Sequence, residues 1–349
     1  MMKKMNLMIG TSVLVLILGG VSSIVAAGEE ALEGDASGVW KKEFETGLNI
    51  IQSSYTDNWN GGEKGSLVWT ARLDGQMEKQ LNKLTNWRNT LQLVYGQTHN
   101  QDRDSNGDLY WRTPDKSDDV IDFESLFRFT PESWVDPFVA LNFKSMFKDL
   151  TDPGQRALNF NPLKFKETAG LAKKMIDSDG RFMMTRLGAT FTQNRRATFV
   201  SSAPDESTET EMTTEMGVEM ITEYKAAVLE EKVVWDSKLT LSLPLIYSGK
   251  SVFEEDLTAA DLESFGLPAD IADYTTTVEA DFENTFTTRI TSLISVKLFL
   301  RWVYKKYDNS VKPVVENGVL MNADGVRSAI RKSGQLKQTL ALGLTYKFN

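Results

Sequence analysis

The sequence predicts an all-β protein, one antiparallel transmembrane β-barrel of about 12 strands (10–14) with short periplasmic turns and long external loops. Three observations predict it. Apolar and polar residues alternate with a period of two along most of the chain. The connectors between these segments alternate between short and long. The chain also opens on a secretory leader and closes on an amphipathic strand with aromatics at its tip.

The alternation is clearest at the end of the chain. Leu336, Leu340, Leu342, Leu344, Tyr346 and Phe348 share one parity, interrupted by Gln338. Lys337, Thr339, Ala341, Gly343, Thr345 and Lys347 hold the other. On a strand these parities point to opposite faces, one suited to lipid and one to a lumen. Taken alone, the segment also fits an edge strand of a soluble sandwich. The expected barrel-insertion machinery would engage this C-terminal strand through Tyr346 and Phe348.

At the other end, Lys3 and Lys4 precede an apolar run over residues 7–25, followed by Ala26, Ala27 and Gly28. This is the pattern of a signal peptide, residues 1–27, with cleavage expected after Ala27. An uncleaved anchor is the alternative, and the acidic flank at Glu29 and Glu30 opposes it. Removing 27 of the 349 residues leaves 322, and losing Lys3 and Lys4 takes the net charge from −9 to −11. Such an acidic product is a poor partner for nucleic acid, which needs a basic face. The absence of cysteine excludes a lipoprotein anchor and any disulfide scaffold. No later stretch approaches ~18 consecutive apolar residues, so any crossing must use strands that close on themselves. The mean hydropathy of −0.30 suits a chain in which only alternate residues meet lipid. The expected location is the outer membrane of a Gram-negative envelope, in contact with its lipid and lipopolysaccharide.

Residues 28–38 are small, acidic and without period, and read as a flexible periplasmic lead-in. The barrel is assigned to 39–349. Its faces follow in order: Trp40, Phe44, Leu48 and Ile50; Leu67, Trp69, Ala71 and Leu73; Trp87, Leu91, Leu93 and Tyr95; Ile121, Phe123, Phe127 and Phe129; Val135, Val139, Leu141, Phe143 and Phe147. Residues 165–177 are less regular. Met183, Leu187, Ala189 and Phe191 come next, then Met216, Val218, Met220 and Tyr224, then the strongest face, Val233 to Tyr247. Short turns are expected near 82–86, 131–133, 177–180 and 230–232, and long polar loops near 98–117, 148–163, 195–210 and 249–273. One parity persists over 278–304, too long for a single span of ~10 residues. A turn near 283–285 would give twelve strands and return both ends to the periplasm. Trp40, Trp87, Trp134, Tyr95, Tyr247, Tyr304 and Tyr346 cluster toward strand ends, as headgroup-level girdles require. Trp134 falls on the inward parity.

The inward parity carries charge. Arg72, Arg88, Asp122, Glu124, Arg128, Lys144, Arg186, Lys238 and Arg301 are assigned to the lumen, with Glu43, Glu45, Asp74, Asp136, Asp236 and Lys297 beside them. They either line a water-filled, porin-like pore for small solutes or pair across a narrow lumen and close it. The closed alternative would leave structural or surface-interaction duties to the external loops. Asp102, Asp104, Asn106 and Asp108 with Gly107 space oxygen ligands as a calcium loop does, although Thr113 stands where a bidentate Glu would be needed. A turn-rich solvated loop explains the same residues, and no other cofactor is expected. An outer-membrane lipid hydrolase needs a base beside its nucleophile. The single histidine, His99, has no nucleophile elbow near it, so no enzyme activity is expected.

Four short motifs carry a family resemblance. Gly47-Leu48-Asn49-Ile50-Ile51-Gln52-Ser53-Ser54 followed by Asn58-Trp59-Asn60-Gly61-Gly62 resembles the opening of the domain-of-unknown-function 3078 family. Lys116-Ser117-Asp118-Asp119 and the closing Gly343-to-Phe348 strand are similar to later family segments. The resemblance implies a barrel-like outer-membrane protein without an assigned activity and supplies no catalytic residues. Asn349 after the terminal aromatic and the acidic 203–212 loop depart from the family pattern.

Overall fold

The computed structural model describes residues 38–56, 63–131, 134–152, 154, 156–178, 180–200 and 204–348, with Thr345, Lys347 and Phe348 described by backbone. The expected signal peptide, the lead-in before Gly38, the turn over residues 58–62, Glu132 and Ser133, Asp179, Ala203 and Asn349 lie outside the described residues.

Twelve long strands form one closed antiparallel barrel. They are β1 (Trp40–Ser53), β2 (Ser66–Asn82), β3 (Thr85–Arg103), β4 (Asp115–Phe129), β5 (Asp136–Ser145) and β6 (Leu163–Ser178). The second half is β7 (Arg181–Phe199), β8 (Thr208–Val228), β9 (Val233–Tyr247), β10 (Glu279–Arg289), β11 (Ile294–Tyr304) and β12 (Gln335–Phe348). Each pairs with the next, and β12 returns to β1. Connections of two to six residues join β2–β3, β4–β5, β6–β7, β8–β9 and β10–β11 at one end. Connections of eight to thirty-one residues join the others at the opposite end. Trp40 and Phe348, where the barrel begins and closes, both lie at the short-turn end.

Along their regular stretches the ladders keep the apolar parity on the outside; at the β8–β9 bulge the parity of β9 changes, so that Ile246 is exposed and Tyr247 buried. Leu241 of β9, for example, stands opposite Met220 on β8 and Ala280 on β10. The outward set stays exposed although apolar: Leu171, Leu187, Leu340, Leu342 and Leu344 are each more than half exposed. A continuous apolar exterior of this kind is what a bilayer covers. Aromatic rings bound it at both ends. At the short-turn end Trp87 lies between Trp40 and Phe127, with ring centres 5.3 and 5.1 Å away. On the other side Trp235 lies between Tyr224 and Phe286 at 5.0 and 5.8 Å. Each of these indoles donates to an outward polar group on the neighbouring strand, Trp87 to Ser125 Oγ at 2.9 Å and Trp235 to Asn284 Oδ1 at 3.0 Å. Trp69–Tyr95, Phe143–Phe165 and Trp302–Tyr304 mark the loop end. Trp87 and Tyr95 are eight residues apart on β3, about 20 Å along the axis of a strand tilted by ~40°, close to the ~25 Å apolar band of such barrels.

Three expectations need correction. Tyr247, expected on the outward face and in the aromatic girdle, follows a bulge that puts Pro244 opposite Gly217 and Ile246 opposite Met216, and its ring is buried in the cap described below. The turn expected near 283–285 lies at 290–293 instead. Ile290, Thr291, Ser292 and Leu293 include none of the Gly, Pro, Asn or Asp that usually mark a turn. The Thr291 hydroxyl does that work by accepting the N–H groups of Leu293 and Ile294 at 3.2 and 3.0 Å. Because Thr288 opposes Val296 and Phe286 opposes Leu298, even numbers face even numbers and the alternation runs through the turn unbroken. Trp134, assigned to the inward parity, precedes β5 and is 78% exposed, with Lys173 Nζ 3.9 Å from its ring centre.

The β9–β10 and β11–β12 connections are not plain loops but fold together into a cap at the loop end. A π-helix (Val252–Asp256) and the short helices α1 (Ala259–Ser264), α2 (Ile271–Tyr274) and α3 (Ala323–Ala329) surround an apolar core. Phe253, Leu262, Ile271, Tyr307, Leu320 and Val326 form its centre. Asn309 fastens the cap to the inner face of β8: its side-chain amide donates to Glu215 Oε2 at 2.6 Å, and its backbone carbonyl accepts from Thr213 Oγ1 at 2.8 Å. Tyr247 and Tyr307 both donate to the Val311 carbonyl, at 2.8 and 2.9 Å. Burial pushes the Asp308 carboxyl up, but Lys305 and the bonds from Ser310 outweigh it and hold it below the usual range. That clamp is therefore at full strength above the ordinary carboxylate range and weakens only as pH falls below it. Ile271 is fully buried, so Ile271→Ala should weaken the cap by roughly 2–5 kcal/mol. Hydrogen exchange should rise over 248–278 and 305–334 while the barrel strands stay protected; equal loss of protection in the strands would mean that cap and barrel unfold as one.

Candidate functional site

The inward parity builds the site. Arg88 on β3 donates to Glu223 on β8 at 2.8 and 3.1 Å. Arg186 on β7 lies 3.0 Å from Glu124 on β4 and 3.4 Å from Glu223. In a ring of twelve, β3 and β8 are five strands apart. A round barrel of that size would be about 24 Å across, more than an Arg and a Glu span end to end, so the barrel is flattened along this line. The three arginine–glutamate ties divide the lumen.

On the β4–β7 side the interior is filled. Leu126, Phe138, Ala140, Ala172 and Met184 pack together there, and Arg128 reaches Met184 Sδ at 3.2 Å and Asp136 at 3.6 Å. On the other side, strands β8–β11 and β1–β4 enclose a cavity of about 890 Å³ reaching the short turns at Glu231 and Ile290. It ends near a tier of ion pairs: Arg72 with Asp74 (2.9 Å), Lys144 with Asp122 (3.0 Å), and Arg301 with Asp281 (2.6 Å) and Glu283 (3.2 Å). Lys238 points into the cavity with no hydrogen-bond or ion-pair partner among the described residues. Nearer the loop end, Lys166 pairs with Glu219, and Lys305 with Glu279 at 2.9 Å. There Lys337 on β12 also pairs with Asp118 on β4, a contact that crosses the lumen between strands four apart.

Glu219, Glu223, Asp281 and Glu283 escaped the sequence reading although they complete these pairs. Their signal is modest: Glu215, Glu219 and Glu223 recur on the parity opposite Met216, Met220 and Tyr224. Removing one member of a buried cluster leaves the others uncompensated. Glu223→Ala should therefore destabilise the barrel by about 3–5 kcal/mol, and Arg88→Met with Glu223→Met should recover part of that. The midpoint of heat-modifiability in detergent reads both; a neutral single variant would mean the tie contributes nothing.

The remaining motif residues have local jobs. Asp119 accepts the Phe147 and Lys148 N–H groups at 2.6 and 2.9 Å and pairs with Lys116 at 3.2 Å, which pins the β5–β6 loop to β4. In the candidate calcium loop, Asp104 Oδ1 accepts the N–H groups of Asn106 and Asp108 at 2.8 and 2.9 Å. Asp102 pairs with Lys64, which lowers its carboxyl below the usual range. Among the described residues, no three acidic, His or Cys groups gather as metal ligands. His99 sits on the outward parity of β3, opposite Leu67.

A family profile described as protein of unknown function (DUF3078) matches residues 50–149, from β1 into the β5–β6 loop. No curated protein matches the chain. Solved structures similar to it include an outer membrane channel from Pseudomonas putida F1 (10% identity, 91% of this chain and 100% of that one, TM-score 0.36). Another is the translocator domain of the autotransporter NalP from Neisseria meningitidis (8%, 88% and 87%, 0.35). The beta domain of the Bordetella autotransporter BrkA is a third (6%, 90% and 99%, 0.30).

Proposed function

We propose that the protein is an integral outer-membrane β-barrel that passes small solutes, entered from the short-turn side through the open lobe of its lumen. The observation that carries this is the charged cavity of about 890 Å³, a size suited to small-molecule solutes. In this reading the ion-pair tier and the Lys337–Asp118 contact narrow the path, and transient breakage of those pairs admits solute. Salt screens exposed pairs, so conductance should rise more steeply with ionic strength than bulk conductivity does. Purified protein in a planar bilayer should give step-like currents, and Asp118→Asn, which removes one crossing contact, should enlarge the steps or their frequency. Unchanged currents would remove Lys337–Asp118 from the path.

A second reading has its own support. The filled lobe, the crossing pairs and the cap together favour a closed barrel whose external segments interact with other surfaces. Silence across salts and pH, in both the natural protein and Asp118→Asn, would select it. The proposed surroundings are outer-membrane lipid and lipopolysaccharide outside the apolar belt, and the insertion machinery acting on β12.

A further inference from the structure

The loop-end corner of β11 and β12 carries cations that the fold leaves without counter-charges. Beyond Tyr304 the chain keeps alternating: Lys305 turns inward to Glu279 at 2.9 Å, and Tyr307 enters the cap core. Lys306 between them therefore continues the outward face of Trp302 and Tyr304, whose stacked rings mark the girdle. Arg331 stands beside it, since its N–H donates to the Lys306 carbonyl at 2.8 Å and Ile330 bridges to Tyr307. Lys332 follows and is exposed. Among the described residues no carboxylate lies within ion-pair distance of any of the three. Acids of the same connection are engaged elsewhere, Asp324 with Arg327 and Asp308 with the Ser310 hydroxyl, each at 2.9 Å. Tyr274 presents its ring face, 4.8 Å from Lys306 Nζ, while its hydroxyl is bonded to Asp270.

A second feature meets this corner. β12 pairs with β1 only from Leu344 to Phe348, so among the described residues its edge toward β1 has no ladder partner from Gln335 to Gly343. Residues 335–338 are exposed on both parities. They lie at the depth of Trp302, which stands opposite Leu336, where backbone groups leaving water need polar partners. Unpaired cations just beyond a girdle attract phosphate, and the free edge beneath them calls for amide, ester or hydroxyl groups. The phosphorylated lipid of lipopolysaccharide supplies both in that order, phosphates outermost and amide- and ester-linked chains below. We propose that Lys306, Arg331 and Lys332, with the open edge of β12 at 335–338, form a binding site for that lipid. Trp302 and Leu336, 42% and 70% exposed, then lie against its chains. The inference rests on the reading of the protein as an outer-membrane barrel surrounded by lipopolysaccharide, and adds one fixed lipid at one place.

The full chain, freed of lipid in an uncharged detergent, is titrated with bisphosphorylated lipid A, monophosphoryl lipid A and phosphatidylglycerol, and native mass spectrometry counts the bound molecules. One bisphosphorylated lipid A per chain should bind about fivefold more tightly than the monophosphoryl form. Lys306→Gln with Arg331→Gln should weaken it about 25-fold, roughly fivefold for each charge removed. Arg195→Gln removes an outward cation from β7, beside Met212 and Leu163 on the far wall, and should leave the affinity unchanged. A benzophenone attached to Leu336→Cys should capture the lipid, and one attached to Met212→Cys should not. Equal losses from the β7 and β11–β12 variants, equal affinity for phosphatidylglycerol, or no tight binding overturns the proposal and leaves the barrel reading intact. Natural protein absent from outer-membrane fractions would remove that reading and the site together.

Discussion

Leu241→Arg should be lost from the outer membrane, whereas Ser242→Arg should insert. Leu241 lies mid-strand, six residues from Trp235 and six from Tyr247, on the outward parity beside Met220 and Ala280. An arginine there faces the bilayer centre and costs roughly 2–4 kcal/mol, enough to stall insertion of a marginally stable barrel. Ser242 points inward, its hydroxyl 3.3 Å from Glu219 Oε2, so an arginine at that position meets a carboxylate. Heat-modifiable mobility of membrane fractions separates the outcomes. Successive side chains alternate faces, so a register error of one residue would exchange the two results. Two mild variants would mean that β9 does not cross the membrane.

Deleting residues 346–349 should prevent the barrel from closing. Only five residue pairs join β12 to β1, from Phe44–Phe348 to Leu48–Leu344. Three of them, at positions 346, 347 and 348, go with the deletion. What remains of β12 still pairs with β11, but β1 gains an unpaired edge. Inside lipid those freed backbone groups have no water to satisfy them. The truncated chain should be degraded or found soluble in the periplasm, and normal levels of heat-modifiable protein would show that the seam is dispensable.

The barrel was legible because one physical rule repeats. Each strand shows lipid every second side chain, so the apolar parity of Leu239, Leu241 and Leu243 could be read without neighbours. The turn at 290–293 was hidden by that same rule, since its even pairing carries the parity through and Thr291 replaces the usual turn residues. The cap was missed because its helices are short and its apolar residues are scattered over two segments distant in sequence. The Thr258-to-Asp261 capping box and the recurrence of Phe253, Leu257, Leu262 and Leu267 were the available signals. The inward positions of Arg88 and Arg186 followed from parity. That Arg88 meets Glu223 depends on flattening of the closed ring, which no local pattern encodes.

The chain has no cysteine, which permits the most direct test of a membrane barrel with one water-filled lobe. Single cysteines placed at 234 to 243 on β9, in outer-membrane vesicles, are reacted with a charged, membrane-impermeant maleimide. Even positions, which include Lys238 and line or adjoin the cavity, should be labelled. Odd positions, which include Leu239 and Leu241 in the apolar belt, should resist. Uniform labelling along β9, or labelling confined to the odd positions, would contradict the account.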